Sequence, residues 1–175
     1  MSTAIAADTF PFAVSTDAPA ITLNRDALMP ITLRPAAAMV RGAGFYLWDE
    51  ADNRYLDFIQ GWAVKSLGHC PAEMTQALRS QSQLLISPSP ALHNLPAFEL
   101  AHLLTADTDL GKVHFANSGS EANEAAVKLA RKWGQLHRGG AHQIITTNGG
   151  FHGRTLAMMA ASGKPGWETM FAPRD

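Results

Sequence analysis

The most informative part of the chain is residues 113–131, which read VHFANSGSEANEAAVKLAR. A short apolar segment, 113–116, is followed by Asn-Ser-Gly-Ser and then by an amphipathic pattern. The first turn of a helix leaves backbone N–H groups without intrahelical acceptors and carries partial positive charge. Gly119 allows close approach to that backbone, and the hydroxyls of Ser118 and Ser120 add donors. The pattern therefore predicts a strand, a turn that binds one phosphate group, and a helix.

A simpler interpretation of the same turn stays open. Ser118 and Glu121 have the S-x-x-E spacing of a capping box, and on spacing alone a cap is the commoner explanation. A cap uses only part of the donors, so both interpretations can hold together. The chain has neither a Walker sequence nor a G-x-G-x-x-G pattern, so nucleoside triphosphate and dinucleotide sites lack their usual support.

The residues after this turn predict a βαβ unit. Small and apolar residues recur at helical spacing at Ala122, Ala125, Ala126, Leu129, Ala130 and Trp133. The glycines at 139–140 predict the end of the helix, and residues 143–147 predict the next strand. A right-handed connection brings the carboxyl ends of both strands to one edge of a parallel sheet. We therefore expect residues 118–120 and 151–154 to lie side by side.

The preceding residues predict smaller elements. Residues 45–48 and 54–59 predict a β-hairpin with a polar turn. Helices are predicted from Pro71 to about Leu85 and from Leu95 to about Thr105, with Ser-Pro-Ser-Pro at 87–90 between them. A two-stranded parallel sheet would leave its edges unpaired, so the order of elements predicts the N-terminal part of a longer protein.

The composition is that of an ordinary globular protein. Of the 175 residues, 46% are hydrophobic and 17% are charged, and the net charge is −1. These values favour neither a nucleic-acid partner nor a membrane, and the N-terminal residues have no secretory signal pattern. Cys70 is the only cysteine, and the seven histidines form no helical ligand pair, so no disulfide and no metal site are predicted. We expect a cytoplasmic protein.

Three motifs resemble a known family. They are NSGSEANEAAVKLARK at 117–132, GGFHGRT at 149–155 and GFYLWDEADNRYLDFIQGWAVKSLGH at 44–69. Together they resemble, in consistent order over roughly residues 30–175, the class III (subgroup II) aminotransferases, which use pyridoxal phosphate. The resemblance implies an α/β fold, with the beginning of the large three-layer α/β/α domain of fold type I pyridoxal-phosphate-dependent transferases.

The resemblance also implies a division of the chain. Residues 1–29 are expected to be a flexible extension. Residues 30–85 correspond to the hairpin, loop and helix of the small domain and linker. Residues 86–175 correspond to the first, incomplete part of the cofactor-binding large domain.

The resemblance assigns roles to particular residues. Ser118, Gly119 and Ser120 correspond to residues that hold the phosphate of the cofactor. Phe151 resembles the aromatic residue that stacks on the pyridine ring, although an isolated phenylalanine after a strand would more often lie in the core. His152 is expected to lie at the cofactor site in a packing or positioning role.

Arg154 resembles the residue that binds the α-carboxylate of the substrate. Its planar guanidinium suits a bidentate carboxylate contact, although a lone arginine would more often be a solvated surface residue. Aminotransferase chemistry also needs a lysine that carries the cofactor. Lys128 and Lys132 have the pattern of solvated helix residues, and Glu124, four residues before Lys128, is expected to form a stabilising pair with it. Neither these two lysines nor Lys65, Lys112 and Lys164 match a catalytic motif. The resemblance implies that the catalytic lysine lies beyond residue 175.

The implied activity is transfer of an amino group. The resemblance implies N-acetylornithine or a similar ω-amino compound as donor, 2-oxoglutarate as acceptor, a role in arginine biosynthesis, and a homodimer. The phenylalanine in GGFHGRT favours acetylornithine or ornithine enzymes. The resemblance implies that 4-aminobutyrate enzymes more often have tyrosine at this position of the motif. Glutamate-1-semialdehyde aminomutase is an alternative with the same fold. A further alternative is a non-catalytic fragment, because the chain offers no candidate for the cofactor-binding lysine.

Overall fold

The computed structural model describes residues 25–171. The chain divides into two compact units, with the boundary between Ile86 and Ser87. The flexible extension predicted for residues 1–29 lies mostly outside the described residues, and within it Arg25–Ala27 form a short 3-10 helix.

A three-stranded antiparallel sheet organises the first unit. It consists of β1 (Met39–Ala43), β2 (Tyr46–Asp49) and β3 (Arg54–Leu56), in the order β1-β2-β3. The predicted hairpin is confirmed as β2 and β3, which pair in antiparallel register. The second strand of the hairpin was predicted to reach residue 59 but ends at Leu56, because the side chain of Asp57 accepts hydrogen bonds from the backbone N–H groups of Ile59 and Gln60. β1 was not predicted.

Asp49 holds the turn between β2 and β3. Its side chain is buried, and its Oδ1 accepts hydrogen bonds of 2.9 Å from the backbone N–H groups of Ala51 and Asn53. Its Oδ2 accepts from the Asn53 side chain at 3.1 Å and from the Tyr55 hydroxyl at 2.8 Å. These bonds, that of the Asn53 side chain foremost, lower the pKa of Asp49 below its ordinary value.

Acid is expected to loosen this turn. Since the pKa of Asp49 is lower in the folded chain, its stabilising effect is fully present above the unfolded value of about 3.9 and is lost as pH falls through the folded pKa. Hydrogen-exchange protection of the Ala51 and Asn53 amides should therefore fall in acid, and Asp49→Asn should lower it already at neutral pH. Asp52→Asn is the control, because the side chain of Asp52 is exposed and its Oδ1 accepts a hydrogen bond from Arg41, outside the set of bonds made by the Asp49 carboxylate. Equal protection in wild type and Asp49→Asn at neutral pH would refute this role.

A loop and a helix follow the sheet. α1 (Gln60–Ala63) is a single irregular turn, and α2 (Ala72–Leu84) confirms the helix predicted for residues 71–85. α2 begins immediately after Pro71, which occupies the N-cap position. The loop between them returns to the sheet, where His69 and Gly44 exchange two backbone hydrogen bonds of 2.7 and 3.1 Å.

The side chain of His69 is buried in a network of charged groups. Its Nε2 lies 2.8 Å from Oδ2 of Asp57, and Nζ of Lys65 lies 3.4 Å from its Nδ1. The backbone N–H of Gln60, and after it the hydrogen bond to His69, lower the pKa of Asp57. Both ring nitrogens of His69 are therefore engaged in stabilising this loop.

The described part of the second unit, residues 87–171, contains four helices. They are α3 (Leu95–Ala106), α4 (Gly119–His137), α5 (Leu156–Ala161) and α6 (Trp167–Met170). The helix predicted from residue 95 is confirmed, with the Asn94 side chain accepting a hydrogen bond from Ala97 N–H at 2.9 Å. The long helix after Ser118 is also confirmed, and it ends where predicted, with Gly139 at a φ of +62°.

The two strands predicted for this unit are wrong for the described structure. Neither 113–116 nor 143–147 forms a strand within residues 25–171. A strand requires a neighbour that completes its hydrogen-bond ladder, and these segments find none among the described residues. The parallel pairing that does form here is a single bridge between Asn148 and Gly163.

The hydrophobic core of the second unit centres on α5. Met158 and Met159 are 2% and 7% exposed, and they are the buried hydrophobic side chains within residues 25–171. The apolar stripe predicted on α4 forms with the expected spacing, but Leu129 and Trp133 on that stripe remain 72% and 50% exposed. Helical periodicity thus predicted the helix correctly, while this face has no cover in the described structure.

Gly134 limits the packing at the end of α4. It is buried, its carbonyl accepts from the N–H groups of Arg138 and Gly140, and a Cβ at this position would overlap the carbonyl oxygen of Ala141. We expect Gly134→Ala to lower the free energy of unfolding by about 1–3 kcal/mol, because a well-packed site cannot take an added carbon without backbone movement.

The measurement is urea unfolding followed by circular dichroism, with Gly111→Ala as the matched control. A Cβ at Gly111 meets nothing within 4 Å, so this substitution should change stability by no more than about 0.5 kcal/mol. Equal midpoints for the two variants would contradict the packing argument at Gly134.

Candidate functional site

The N-terminus of α4 presents uncommitted hydrogen-bond donors. Ser118 is the N-cap residue, and its Oγ accepts from Glu121 N–H at 3.2 Å, which confirms the predicted cap. Glu121 reaches one residue beyond a standard capping box, since its Oε2 accepts from Asn117 N–H at 2.6 Å. The N–H groups of Gly119 and Ser120 lie in the first turn and have no acceptor among the described residues.

The segment 151–154 lies against this first turn, as predicted. Arg154 N–H donates to Oγ of Ser120 at 3.3 Å, and Nδ2 of Asn123 donates to the carbonyl oxygen of His152 at 2.7 Å. The expected proximity is therefore confirmed, although it arises through loop-to-helix hydrogen bonds and not through two paired strands.

A third contact corrects one expectation. Glu124 was expected to pair with Lys128, but its Oε1 accepts from the hydroxyl of Thr155 at 2.6 Å, and no ion pair with Lys128 forms in the described structure. Sequence analysis missed the roles of Glu124, Asn123 and Thr155. Asn123 and Glu124 have the spacing of ordinary solvated residues on α4, so only their distant partners, His152 and Thr155, distinguish them.

Gly153 lies so close to α4 that it has no room for a side chain. It is buried with a φ of +139°, a conformation that side-chain-bearing residues rarely adopt. A Cβ at this position would overlap the hydroxyl of Ser120 and lie 3.0 Å from Cβ of Met158. Gly119 differs, because a Cβ there would meet nothing within 4 Å. The loop is thus packed tightly against α4, while the space in front of Gly119 is open.

Phe151 presents an open aromatic surface beside this turn. Its side chain is 54% exposed, and its ring contacts Trp167 edge-on at a centroid distance of 6.0 Å. Nζ of Lys164 lies 5.0 Å from the Phe151 ring centroid. The side chain of Arg154 is also exposed, and it forms no ion pair with any described residue.

His152 carries an unpartnered polar atom. Its backbone N–H donates to Oγ of Ser162 at 3.0 Å, and that hydroxyl donates to the carbonyl oxygen of Met158 at 2.7 Å. Its ring atom Nε2 is buried without a hydrogen-bond partner among the described residues. Burial of such an atom is unfavourable unless a partner is supplied, so it marks a place where a polar group fits.

The described part of the chain shows neither a metal site nor a membrane-spanning helix. Across residues 25–171, no three His, Cys, Asp or Glu side chains are arranged to bind a metal ion. In the same range, no helix has both the length and the hydropathy needed to cross a membrane.

The fold is that of the pyridoxal-phosphate-dependent aminotransferases. A Bacillus anthracis aminotransferase has a TM-score of 0.76 and 30% identity, over 86% of this chain and 35% of that protein. The ornithine aminotransferase of Toxoplasma gondii, in a structure with pyridoxal phosphate partially occupying the active site, has a TM-score of 0.76 and 25% identity. That match covers 86% of this chain and 36% of the parasite enzyme. These similarities confirm the predicted fold class.

Sequence comparison identifies the family. Residues 31–174 match the family described as Aminotransferase class-III, and the chain belongs to it. Acetylornithine aminotransferase 2 of Bordetella bronchiseptica is 62% identical over 149 residues, which are 85% of this chain. The acetylornithine aminotransferase of Ralstonia nicotianae is 55% identical over 151 residues, or 84% of this chain. The chain spans 38% of the length of each of these two relatives.

Substitution of Gly153 is expected to disrupt the contact between the loop and α4. Gly153→Ala should lower the free energy of unfolding by about 1–3 kcal/mol, because it combines an unfavourable φ with a clash against Ser120. The amide of Arg154 should lose hydrogen-exchange protection at the same time. Gly119→Ala is the matched control for stability, because its Cβ has free space. A Gly153→Ala variant as stable as Gly119→Ala would show that the loop is not packed as described.

Proposed function

We propose that this chain provides the phosphate-binding turn, the ring-stacking residue and the carboxylate-binding residue of a pyridoxal-phosphate-dependent aminotransferase. The observation that carries the proposal is the open first turn of α4 at Gly119, held beside Phe151 by the hydrogen bond between Arg154 and Ser120. In this assignment residues 30–85 belong to the small domain and linker, and residues 86–175 to the large domain.

The donor chemistry of the turn fits a phosphate group. The N–H groups of Gly119 and Ser120 have no protein acceptor among the described residues, and they lie at the positive end of the α4 dipole. The Ser118 hydroxyl already caps the helix, so its contribution is to keep the turn in shape while the two backbone donors bind the anion. The absence of a side chain at Gly119 leaves the approach clear.

The remaining residues fit the ring and the substrate. Phe151 offers an exposed aromatic face for a planar ring and excludes water from it. His152 supplies a buried nitrogen that lacks a partner, in a positioning role. Arg154 is exposed and has no competing ion pair among the described residues, which suits it to bind a substrate carboxylate.

Pyridoxal phosphate supplies, when bound, an electron sink for the carbon that exchanges its amino group. The residues of this chain hold its phosphate, cover its ring and orient the carboxylate of the substrate. The lysine that carries the cofactor is assigned to a segment outside these 175 residues, so the chain alone is not expected to transfer amino groups. The protein is proposed to act as a cytoplasmic homodimer.

The proposed amino donor is N-acetylornithine, with 2-oxoglutarate as acceptor, in arginine biosynthesis. The support is the identity of 62% and 55% to proteins named acetylornithine aminotransferase. Comparison of kcat/KM for N-acetylornithine, ornithine and 4-aminobutyrate in the protein of natural length tests this choice. A preference of ten-fold or more, roughly 1.4 kcal/mol, for another donor would reassign the substrate within the family.

The decisive test of the cofactor site is Gly119→Ala in the protein of natural length. We expect it to weaken pyridoxal phosphate binding about 10- to 100-fold, because hydrogen bonds to a charged group contribute roughly 1.5–3 kcal/mol and the added carbon obstructs them. The dissociation constant is measured by absorbance titration, and the unfolding midpoint without cofactor should not fall, because the added Cβ meets no neighbouring atom. Gly111→Ala serves as the binding control, since it is the same substitution at another open position.

Borohydride reduction followed by peptide mapping completes this test. Labelling of one lysine beyond residue 175 would support the assignment. Stoichiometric labelling of Lys128 or Lys164 would instead place the cofactor-binding lysine within this chain, and unchanged affinity in Gly119→Ala would remove the phosphate site from α4.

A further inference from the structure

The proposed stacking residue, Phe151, forms a cluster with one other aromatic ring, that of Trp167, and with the ammonium group of Lys164. The rings of Phe151 and Trp167 meet edge-on, with an interplanar angle of 68° and a centroid distance of 6.0 Å. Nζ of Lys164 lies over both rings, 5.0 Å from the centroid of Phe151 and 5.3 Å from that of Trp167. Phe151 therefore has both Lys164 and Trp167 as ring neighbours, and it remains 54% exposed, so part of its surface is open to a planar ligand.

The backbone that carries this cluster is fixed to the backbone of the Phe151 loop. Gly149 N–H donates to the carbonyl oxygen of Gly163 at 2.9 Å, and Gly163 N–H donates to that of Gly150 at 3.1 Å. A Cβ at Gly163 would lie 2.8 Å from both the Gly149 nitrogen and the Thr147 carbonyl oxygen. The backbone at Gly163 is therefore in direct contact with the backbone at 147–149. The hydroxyl of Ser162 adds the bond from His152 N–H.

Phe151 is thus held from two directions. Its backbone is fixed by residues 162–163, and its ring is contacted by the side chains of Lys164 and Trp167. An exposed phenylalanine without such neighbours would sample several rotamers, and fixing it on binding would reduce affinity. A ring that is already oriented avoids that loss.

We propose that Lys164 and Trp167 are positioning residues that orient the ring of Phe151 for stacking on the cofactor. This inference rests on the proposed function, since it assumes that Phe151 stacks on pyridoxal phosphate. Lys164 and Trp167 thus contribute to cofactor binding without touching the cofactor themselves.

The test uses the protein of natural length with two pairs of variants. Trp167→Leu removes the edge-on ring and Trp167→Phe keeps it, while Lys164→Met removes the charge and Lys164→Arg keeps it. For each variant the dissociation constant for pyridoxal phosphate and the circular dichroism induced in the cofactor's absorption band are measured. The unfolding midpoint without cofactor is recorded alongside.

We expect Trp167→Leu and Lys164→Met to weaken cofactor binding about 3- to 10-fold, in the range of one aromatic or cation–π contact, and to reduce the induced circular dichroism. Trp167→Phe and Lys164→Arg should restore both readouts. The unfolding midpoints of all four variants should remain close to that of wild type, because these contacts lie at a half-exposed surface.

Three outcomes would overturn the positioning role. The first is unchanged affinity and dichroism in Trp167→Leu and Lys164→Met, although Phe151→Ala weakens binding; this leaves the proposed function intact. The second is a loss of affinity that follows the unfolding midpoint and is not restored by the conservative variants. The third is a wild-type protein that binds no pyridoxal phosphate, which overturns the proposed function as well.

Discussion

The contact of Gly153 with the first turn of α4 is the constraint on which the candidate site depends. A loop can approach a helix this closely only where it carries no Cβ and can adopt a φ of +139°. At this distance Arg154 N–H reaches Ser120, and Asn123 reaches the neighbouring carbonyl. The open donors of the helix and the aromatic ring of Phe151 are thereby brought into one place. With a wider separation the open donors of α4 and the ring of Phe151 would be too far apart to form one site.

The site divides its tasks between backbone and side chains. The loop backbone at 150–154 is held by α4 on one side and by residues 162–163 on the other. The side chains of Phe151 and Arg154 are left exposed, and neither has a role in the core. Such a division suits binding, because the loop backbone is held in place while the two side chains proposed to meet a ligand keep exposed surface.

The accuracy of sequence-based prediction followed the range of the interactions involved. The cap at Ser118 and the length of α4 depend on residues within a few positions, and both were predicted correctly. The strands at 113–116 and 143–147 were wrong, because a strand depends on partners that an apolar pattern does not specify. Glu124 was misassigned for the same reason, since its partner is 31 residues away. The family motifs identified the fold and the candidate residues, whereas the contacts that support those residues are visible only in the folded structure.

The open space at Gly119 shows a position where stability of the helix and the proposed binding role favour different residues. Within the described structure this glycine has no positive φ and no close neighbour that would exclude a methyl group. Alanine forms helices better, so the chain forgoes stability here that a single substitution could supply. A glycine that folding does not require fits the phosphate-binding role proposed for this turn. Selection for heat resistance alone would be expected to replace Gly119 early, and would yield a sturdier protein at the expense of that proposed role.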